Sequence, residues 1–391
     1  MSVVSFLLDY KWVVSFYLLI FFLIYVFRKK FDVKGIVALY RTNFGLKFID
    51  RISSKYGEFV KLVGYVGIGA GYVGLVSISF ILLKNLYSLF TVPGASPALG
   101  LIIPGVKIPG SPIFLPFWYG IVALFVVVVV HEFAHGVIAR AHGLKIKSSG
   151  FGLFAVFPIA FVEPDEKMLK KQSDVVQYSV FAAGPFFNVL TAVFVVLLLS
   201  FVFSPINKAI TEPVGFSISG VQSGFPAELA GLKGGMIITS VNNVSTLSYE
   251  SFSDVFSSVR PGEKVSLTAN DSVFDLVVAK SPSDERKPYL GVVGLKDEVR
   301  LKSDGGFAKV LFSVFSWFMV LFQWIGVLSL GVGLANLLPL GPVDGGRMLQ
   351  VSLLKIAKNK KKGNRIWVNI SVICLLVLLL NLLFPLLKNF F

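Results

Sequence analysis

The chain has 391 residues, 55% of them hydrophobic and 15% charged, with a mean hydropathy of +0.77; soluble domains carry about 25% charged residues, so a purely water-soluble protein is excluded. The excess of 37 Lys+Arg over 22 Asp+Glu gives +15, but the basic residues collect beside apolar runs, which reads as a topology and anionic-lipid signal and excludes nucleic acid as the expected partner. The single cysteine, Cys374, excludes an internal disulfide framework and a Cys-based zinc site, and all three histidines fall between positions 131 and 142.

A hydrocarbon core of about 30 Å needs about 20 apolar residues as helix, and the chain offers six such stretches: 12–27, 62–83, 117–138, 175–203, 307–335 and 366–387. The first follows Lys11 and runs into Arg28-Lys29-Lys30 with no small-residue cleavage site, so it reads as a retained anchor. Residues 28–61 hold nine Lys/Arg against three Asp/Glu, interleaved with aromatic and aliphatic residues, and are expected to form an amphipathic region on the cytosolic membrane surface. Residues 345–365, with seven Lys/Arg and no acid, belong on the same side. Six spans then put the start of the chain, residues 84–116, residues 204–306 and the C-terminus outside. Residues 91–116 carry six prolines among apolar neighbours and are expected to lie extended against the membrane protein.

The third apolar run ends Val130-His131-Glu132-Phe133-Ala134-His135-Gly136. Positions i and i+4 share a helix face, so the two imidazoles can converge on one ion with Glu132 beside it, the zincin arrangement. A Glu and two His in an apolar helix are costly in lipid and point to function. Catalytic zinc takes three protein ligands. His142 is the near candidate for the third, but its spacing is one residue off the metzincin pattern. Asp344 is the better one, because it lies in a Pro- and Gly-broken stretch closing the fifth span, where a helix ends and a carboxylate can turn back into the protein. Both segments run from outside to inside and reach the cytosolic face at the same depth.

After the zinc helix, Gly143 to Val162 is Gly-punctuated and apolar, too short to span twice. A membrane-embedded β-hairpin is expected, with Gly150, Phe151 and Gly152 offering strand edges to an unwound substrate. The fourth span carries Asn188, read either as a substrate contact or as an interhelical hydrogen bond. From about 212 to 298 charge and Ser/Asn/Gly rise, and short β-type runs such as Val265-Ser266-Leu267-Thr268 mark a small soluble domain.

These residues resemble the site-2 proteases, zinc metalloproteases that cut transmembrane helices within the bilayer. His131, Glu132 and His135 match the family's H-E-x-x-H, Asn336 to Gly345 match its N-x-x-P-x-x-x-x-D-G, and Gly184-Pro185-Phe186-Phe187-Asn188 resembles its G-P-x-x-N. The inserted domain resembles a PDZ domain at Gly220-Val221, Ser223 to Ala227 and Ala230-Gly231-Leu232, departing from it at Gly234-Gly235-Met236. The resemblance implies one Zn2+ per chain held by His131, His135 and Asp344. It also implies Glu132 as general base and acid and Asn336 as oxyanion donor.

The expected fold is thus a polytopic α-helical membrane protein of about six transmembrane helices with membrane-associated β elements, plus a small α/β PDZ-like domain. Its parts are N-terminal helices and basic segment (1–90), first half of the core (91–211), PDZ-like domain (212–300) and second half (301–391). The implied activity is intramembrane proteolysis of transmembrane protein substrates after a first extracytosolic cut, the PDZ-like domain filtering or binding their trimmed tails. A compact, Cys-poor chain favours a prokaryotic plasma membrane, with that domain outside and the active site near the cytosolic face. Two alternatives stand beside this reading. An inactive client-binding relative would have no use for Glu132, and a zinc transporter would spread its ligands through the bilayer.

Overall fold

The computed structural model describes residues 10–92, 100, 102–108, 113–154, 157–282, 284–303, 305–357 and 359–387. It divides into two compact units, one formed by residues 1–199 with 317–391 and the other by residues 200–316.

The larger unit is helical. After α1 (Lys11–Val26) come α2 (Leu46–Lys55), α3 (Gly57–Thr91), α4 (Phe117–Ala141), a short α5 (Glu166–Leu169) and α6 (Asp174–Leu198). A π-helical turn, Leu199–Phe203, carries the last of these into α7 (Ser204–Ile210). Five described helices are long and apolar enough to cross a membrane: α3, α4, the helical segment Asp174–Ile210, the helix Gly306–Asn336 and the helix that starts at Lys360. The protein is therefore a polytopic integral membrane protein. The remaining expected span, 12–27, is the 16-residue α1, shorter than the about 20 residues a crossing needs.

Small residues let these helices approach closely without a hydrophobic driving force between them. On α3, a Cβ at Gly64 would lie 3.2 Å from Ile138 and 3.3 Å from Ser179, and one at Gly71 would lie 3.2 Å from Ala182. A side chain at either glycine would need its neighbours to give by a few tenths of an ångström. The zinc-motif helix α4 ends in a Schellman turn, with Gly143 at φ +74 and Leu144 N–H donating to Ala139 C=O at 3.1 Å. That turn redirects the chain into the sheet.

The sheet has four antiparallel strands in the order β1 (Phe31–Lys34), β2 (Val37–Thr42), β3 (Ile146–Phe154) and β4 (Phe157–Pro164). The expected two-stranded hairpin is thus half of a larger sheet. Of the basic segment 28–61, only α2 has the expected amphipathic character. Residues 31–42 are instead a hairpin, turned at Gly35-Ile36 with Gly35 at φ +58. Arg41 on β2 clamps the far side, donating to Ser148 Oγ at 3.0 Å and pairing with Glu163. Much of the proline-rich stretch 91–116 lies outside the described residues; within it Leu115 is buried and its carbonyl accepts from Gly105 N–H.

The smaller unit contains α7, β5 (Thr211–Val221), α8 (Pro226–Leu229), β6 (Ile237–Val241), β7 (Val244–Ser245), α9 (Tyr249–Ser257), β8 (Lys264–Ala269), β9 (Ser272–Val277), β10 (Ala279–Lys280), β11 (Pro288–Tyr289) and β12 (Val292–Leu301). Its main sheet runs β12-β5-β6-β8-β9, with β7 on β6. Asn242-Asn243 and Asn270-Asp271, all at positive φ, turn the two tight hairpins. Phe216, Ile218, Leu232, Ile238 and Leu267 fill the core beneath the sheet. The chain continues with α10 (Gly306–Asn336), whose residues from Trp317 onward belong to the larger unit, and that unit closes with α11 (Asp344–Ile356) and α12 (Lys360–Leu387).

Candidate metal centre

His131 and His135 lie one turn apart on α4, and Asp344 is the first residue of α11. Their ligand atoms converge. His131 Nε2 is 3.1 Å from Asp344 Oδ2, His135 Nε2 is 3.4 Å from the same oxygen, and the two nitrogens are 3.2 Å apart. Ligands about 2.0–2.1 Å from a tetrahedral zinc ion stand about 3.3–3.4 Å from one another. The three donors already stand close to those spacings, and two imidazoles with a carboxylate suit zinc chemically.

Two further features fit an ion here. A Cβ on Gly184 would fall 2.5 Å from Nε2 of both histidines, so the absence of a side chain keeps the space beside them open. His135 Nδ1 is 2.7 Å from the carbonyl of Val180, an acceptor that fixes its proton on Nδ1 and leaves Nε2 free to ligate. Val180, Gly184 and Asn188 recur every four residues on α6 against the histidine pair on α4. The sequence motif contained two of them, but only the antiparallel packing of α6 on α4 reveals that they form one face.

Asp344 reaches the site because α11 starts where α10 has just ended. The expected helix end falls at Asn336, and Asp344 opens the next helix, where a carboxylate also suits the positive end of the helix dipole. Gly345 and Gly346 make this turn possible, since a Cβ on either would run into the backbone carbonyls of Leu337 and Leu340. Farther along α11, Ser352 is 2.5 Å from the hydroxyl of Tyr72 and 3.1 Å from that of Tyr178, tying the helix to α3 and α6.

Glu132 points to the other side of the site, where its Oε2 accepts from Val162 N–H at 3.1 Å. Val162 therefore presents its N–H away from β3, on the free edge of β4. By the period of two, Pro158, Ala160 and Pro164 face the same way. Proline has no N–H, so the N–H groups on this edge are those of Ala160 and Val162, and Glu132 already takes that of Val162. A cavity of about 440 Å3 joins these parts, lined by Glu132, His135 and Asp344, by Ile159, Phe161 and Val162, and by Val37 and Leu39 of β2. No motif marks the lining by β2; its only sequence signal is the Gly35-Ile36 turn between β-forming runs. At the rim, the Arg41 guanidinium hydrogen-bonded to Glu163 holds that carboxyl below its ordinary value.

The remaining expected residues lie elsewhere. Gly150, Phe151 and Gly152 are on β3, whose two edges are already paired with β2 and β4, so they cannot receive a substrate strand. Asn188 does not line that cavity; it is fully buried behind His131, with Nδ2 3.0 Å from His131 Nδ1. Its position on α6, one turn beyond Gly184, forces it into the α4 interface. Asn336 donates to the carbonyl of Val332 one turn back, within its own helix. His142 is not part of the centre: it faces Ser179 Oγ at 3.2 Å, and burial lowers its pKa.

The model of Peptidase family M50 matches residues 119–378, which includes every residue of the centre. An uncharacterized protein of Methanocaldococcus jannaschii is 28% identical over 355 residues, covering 88% of this chain and 86% of that one. A membrane-bound transcription factor site-2 protease homolog of Arabidopsis thaliana is 25% identical over 171 residues, 41% of this chain and 31% of the plant protein. Among solved structures, the PDZ domain of an SdrC-like protein from Listeria monocytogenes matches 20% of this chain and 85% of its own length, with 21% identity and a TM-score of 0.19.

Proposed function

Because the chain belongs to peptidase family M50, the site-2 protease family of membrane metallopeptidases, we propose that it hydrolyses peptide bonds in the transmembrane segments of other membrane proteins, within the bilayer and with one zinc ion. The observation that carries this reading is the convergence of His131, His135 and Asp344 at a cavity that His135, Asp344 and Glu132 line together with Ile159, Phe161 and Val162 of β4.

His131, His135 and Asp344 would hold the ion. Zinc, when bound, supplies a Lewis acid for the scissile carbonyl and lowers the pKa of the attacking water to roughly 7. Glu132 accepts the proton of that water on its carboxylate and passes it to the amide nitrogen that leaves. Its Oε2 bond to Val162 N–H orients the acid without consuming its second oxygen. Asn336 serves as oxyanion donor once its amide turns away from Val332.

A helical substrate hides its carbonyls in i to i−4 bonds, so it must unwind before attack. The N–H of Ala160, left free because that of Val162 is bonded to Glu132, offers a replacement hydrogen bond by strand addition, and the flanking prolines limit how far a strand can slide. The pairing therefore fixes which peptide bond stands beside Glu132. Apolar Ile159, Phe161, Val37 and Leu39 suit a substrate drawn from lipid.

The small β domain, PDZ-like in its sequence opening, is the filter or binder of substrate tails trimmed by an earlier extracytosolic cut. The positive residues of 28–61 and 345–365 support a cytosolic location for the active-site end and an extracytosolic one for that domain. A prokaryotic plasma membrane suits the Cys-poor chain. Incubation of the purified protein with a single-span substrate tests the proposal: wild type cleaves it, and Glu132→Gln binds zinc without cleaving. Equal cleavage by both would remove Glu132 from the chemistry.

A further inference from the structure

Neither the cavity nor the sheet accounts for Asn188. Its side chain is 0% exposed, its Nδ2 stands 3.0 Å from His131 Nδ1, and its Oδ1 has no hydrogen-bond partner among the described residues. A buried amide oxygen without a donor is costly, which calls for a state of the site in which that oxygen is used.

The two histidines differ in what stands behind them. Val180 C=O can only accept, so His135 is held with its proton on Nδ1 and a lone pair on Nε2. His131 Nδ1 instead faces an amide, which can donate or accept. With Nδ2 donating to Nδ1, the ring proton of His131 sits on Nε2 and points at Asp344 Oδ2, 3.1 Å away. A ring protonated there cannot ligate through that atom. A half-turn of the amide, which changes no volume, lets Oδ1 accept from Nδ1–H and frees the Nε2 lone pair. One ring proton moves from Nε2 to Nδ1, and the net charge is unchanged.

We propose that Asn188 is a positioning residue for the metal centre, an amide that serves the metal-free ring as donor and the metal-bound ring as acceptor. Its carbonyl gives His131 in the loaded state what the Val180 carbonyl gives His135 permanently. Asparagine suits this double duty because it carries both groups on one rotatable plane. Aspartate could serve only the loaded state, and leucine or alanine neither. The inference rests on the metallopeptidase reading above.

The test is zinc affinity of the full chain in detergent, measured by competition with a chromophoric chelator, for wild type and for Asn188→Asp, Asn188→Leu and Asn188→Ala. The visible spectrum of the cobalt-substituted forms and melting of the metal-free forms accompany it. Loss of an outer-shell partner weakens metal binding about 10- to 100-fold, so the Leu and Ala variants should fall in that range with a displaced cobalt band. The Asp variant should bind at least as tightly as wild type. A merely structural Asn188 would lower melting in all variants and leave affinity alone. Wild-type affinity in the Leu and Ala variants, or equal weakening in Asp and Ala, overturns the proposal; if the Leu variant fails to fold, the Ala and Asp pair decides. A wild-type protein that takes up no zinc removes the metallopeptidase reading and this proposal with it.

Discussion

Substituting Gly184→Ala adds one methyl group at the point where the centre has no room for it. The new carbon would lie 2.5 Å from Nε2 of His131 and of His135 and 2.6 Å from His131 Cε1. Carbon contacts settle near about 3.5 Å, so the rings or helix α6 must retreat by roughly 1 Å. Overpacking of this kind costs about 1–3 kcal/mol of stability. The effect on metal is larger, because zinc ligands tolerate only about 0.2 Å of displacement, and both nitrogens are pushed at once. Zinc affinity should therefore fall by more than the roughly 100-fold typical of an outer-shell loss, and cleavage with it. Gly69→Ala on α3, where a Cβ meets nothing within 4 Å, is the control and should bind zinc normally. Chelator competition gives the affinity and thermal melting with and without zinc gives the stability. A Gly184→Ala protein with wild-type affinity would refute the reasoning that this glycine keeps the metal space open.

Two further outcomes are expected. Ala160→Pro removes the one free N–H from the β4 edge while sparing the ladder to β3, so catalytic efficiency on a transmembrane substrate should drop by at least tenfold with zinc content unchanged; unaltered efficiency would argue against strand addition there. Glu163 has a folded-state pKa below its ordinary 4.5 because of Arg41, so its contribution is fully present above about pH 4.5 and is lost as the pH falls through the depressed value. The pair is partly exposed, with side chains 43% and 37% accessible, which limits it to about 1 kcal/mol or less. Glu163→Gln should therefore melt slightly below wild type at pH 7, and the gap should close in acid; a gap that widens on acidification would reverse the assignment.

The histidine pair and Asp344 were legible in the sequence, because a rare residue type at helical spacing and a Pro- and Gly-broken acid two hundred residues away are local signals. What surrounds them was not. That Val180 orients His135, that Gly184 leaves the cavity open and that Asn188 backs His131 all follow from the register of α6 on α4, which no spacing within either segment records. The same holds for the sheet. Residues 31–42 look like a basic surface segment until they pair with β3 across more than a hundred residues, and that pairing takes Gly150, Phe151 and Gly152 out of reach of substrate. The free edge of β4 became readable only when Val162 N–H was seen to face Glu132, after which Pro158 and Pro164 acquire a meaning that composition alone could not give them.

The account stands on three side chains holding one ion. Metal analysis of the purified 391-residue chain, beside Asp344→Ala and His135→Ala, tests this most directly. Wild type should carry one zinc per chain and each variant should carry almost none; zinc-free wild type, or variants that retain a full complement, would contradict it.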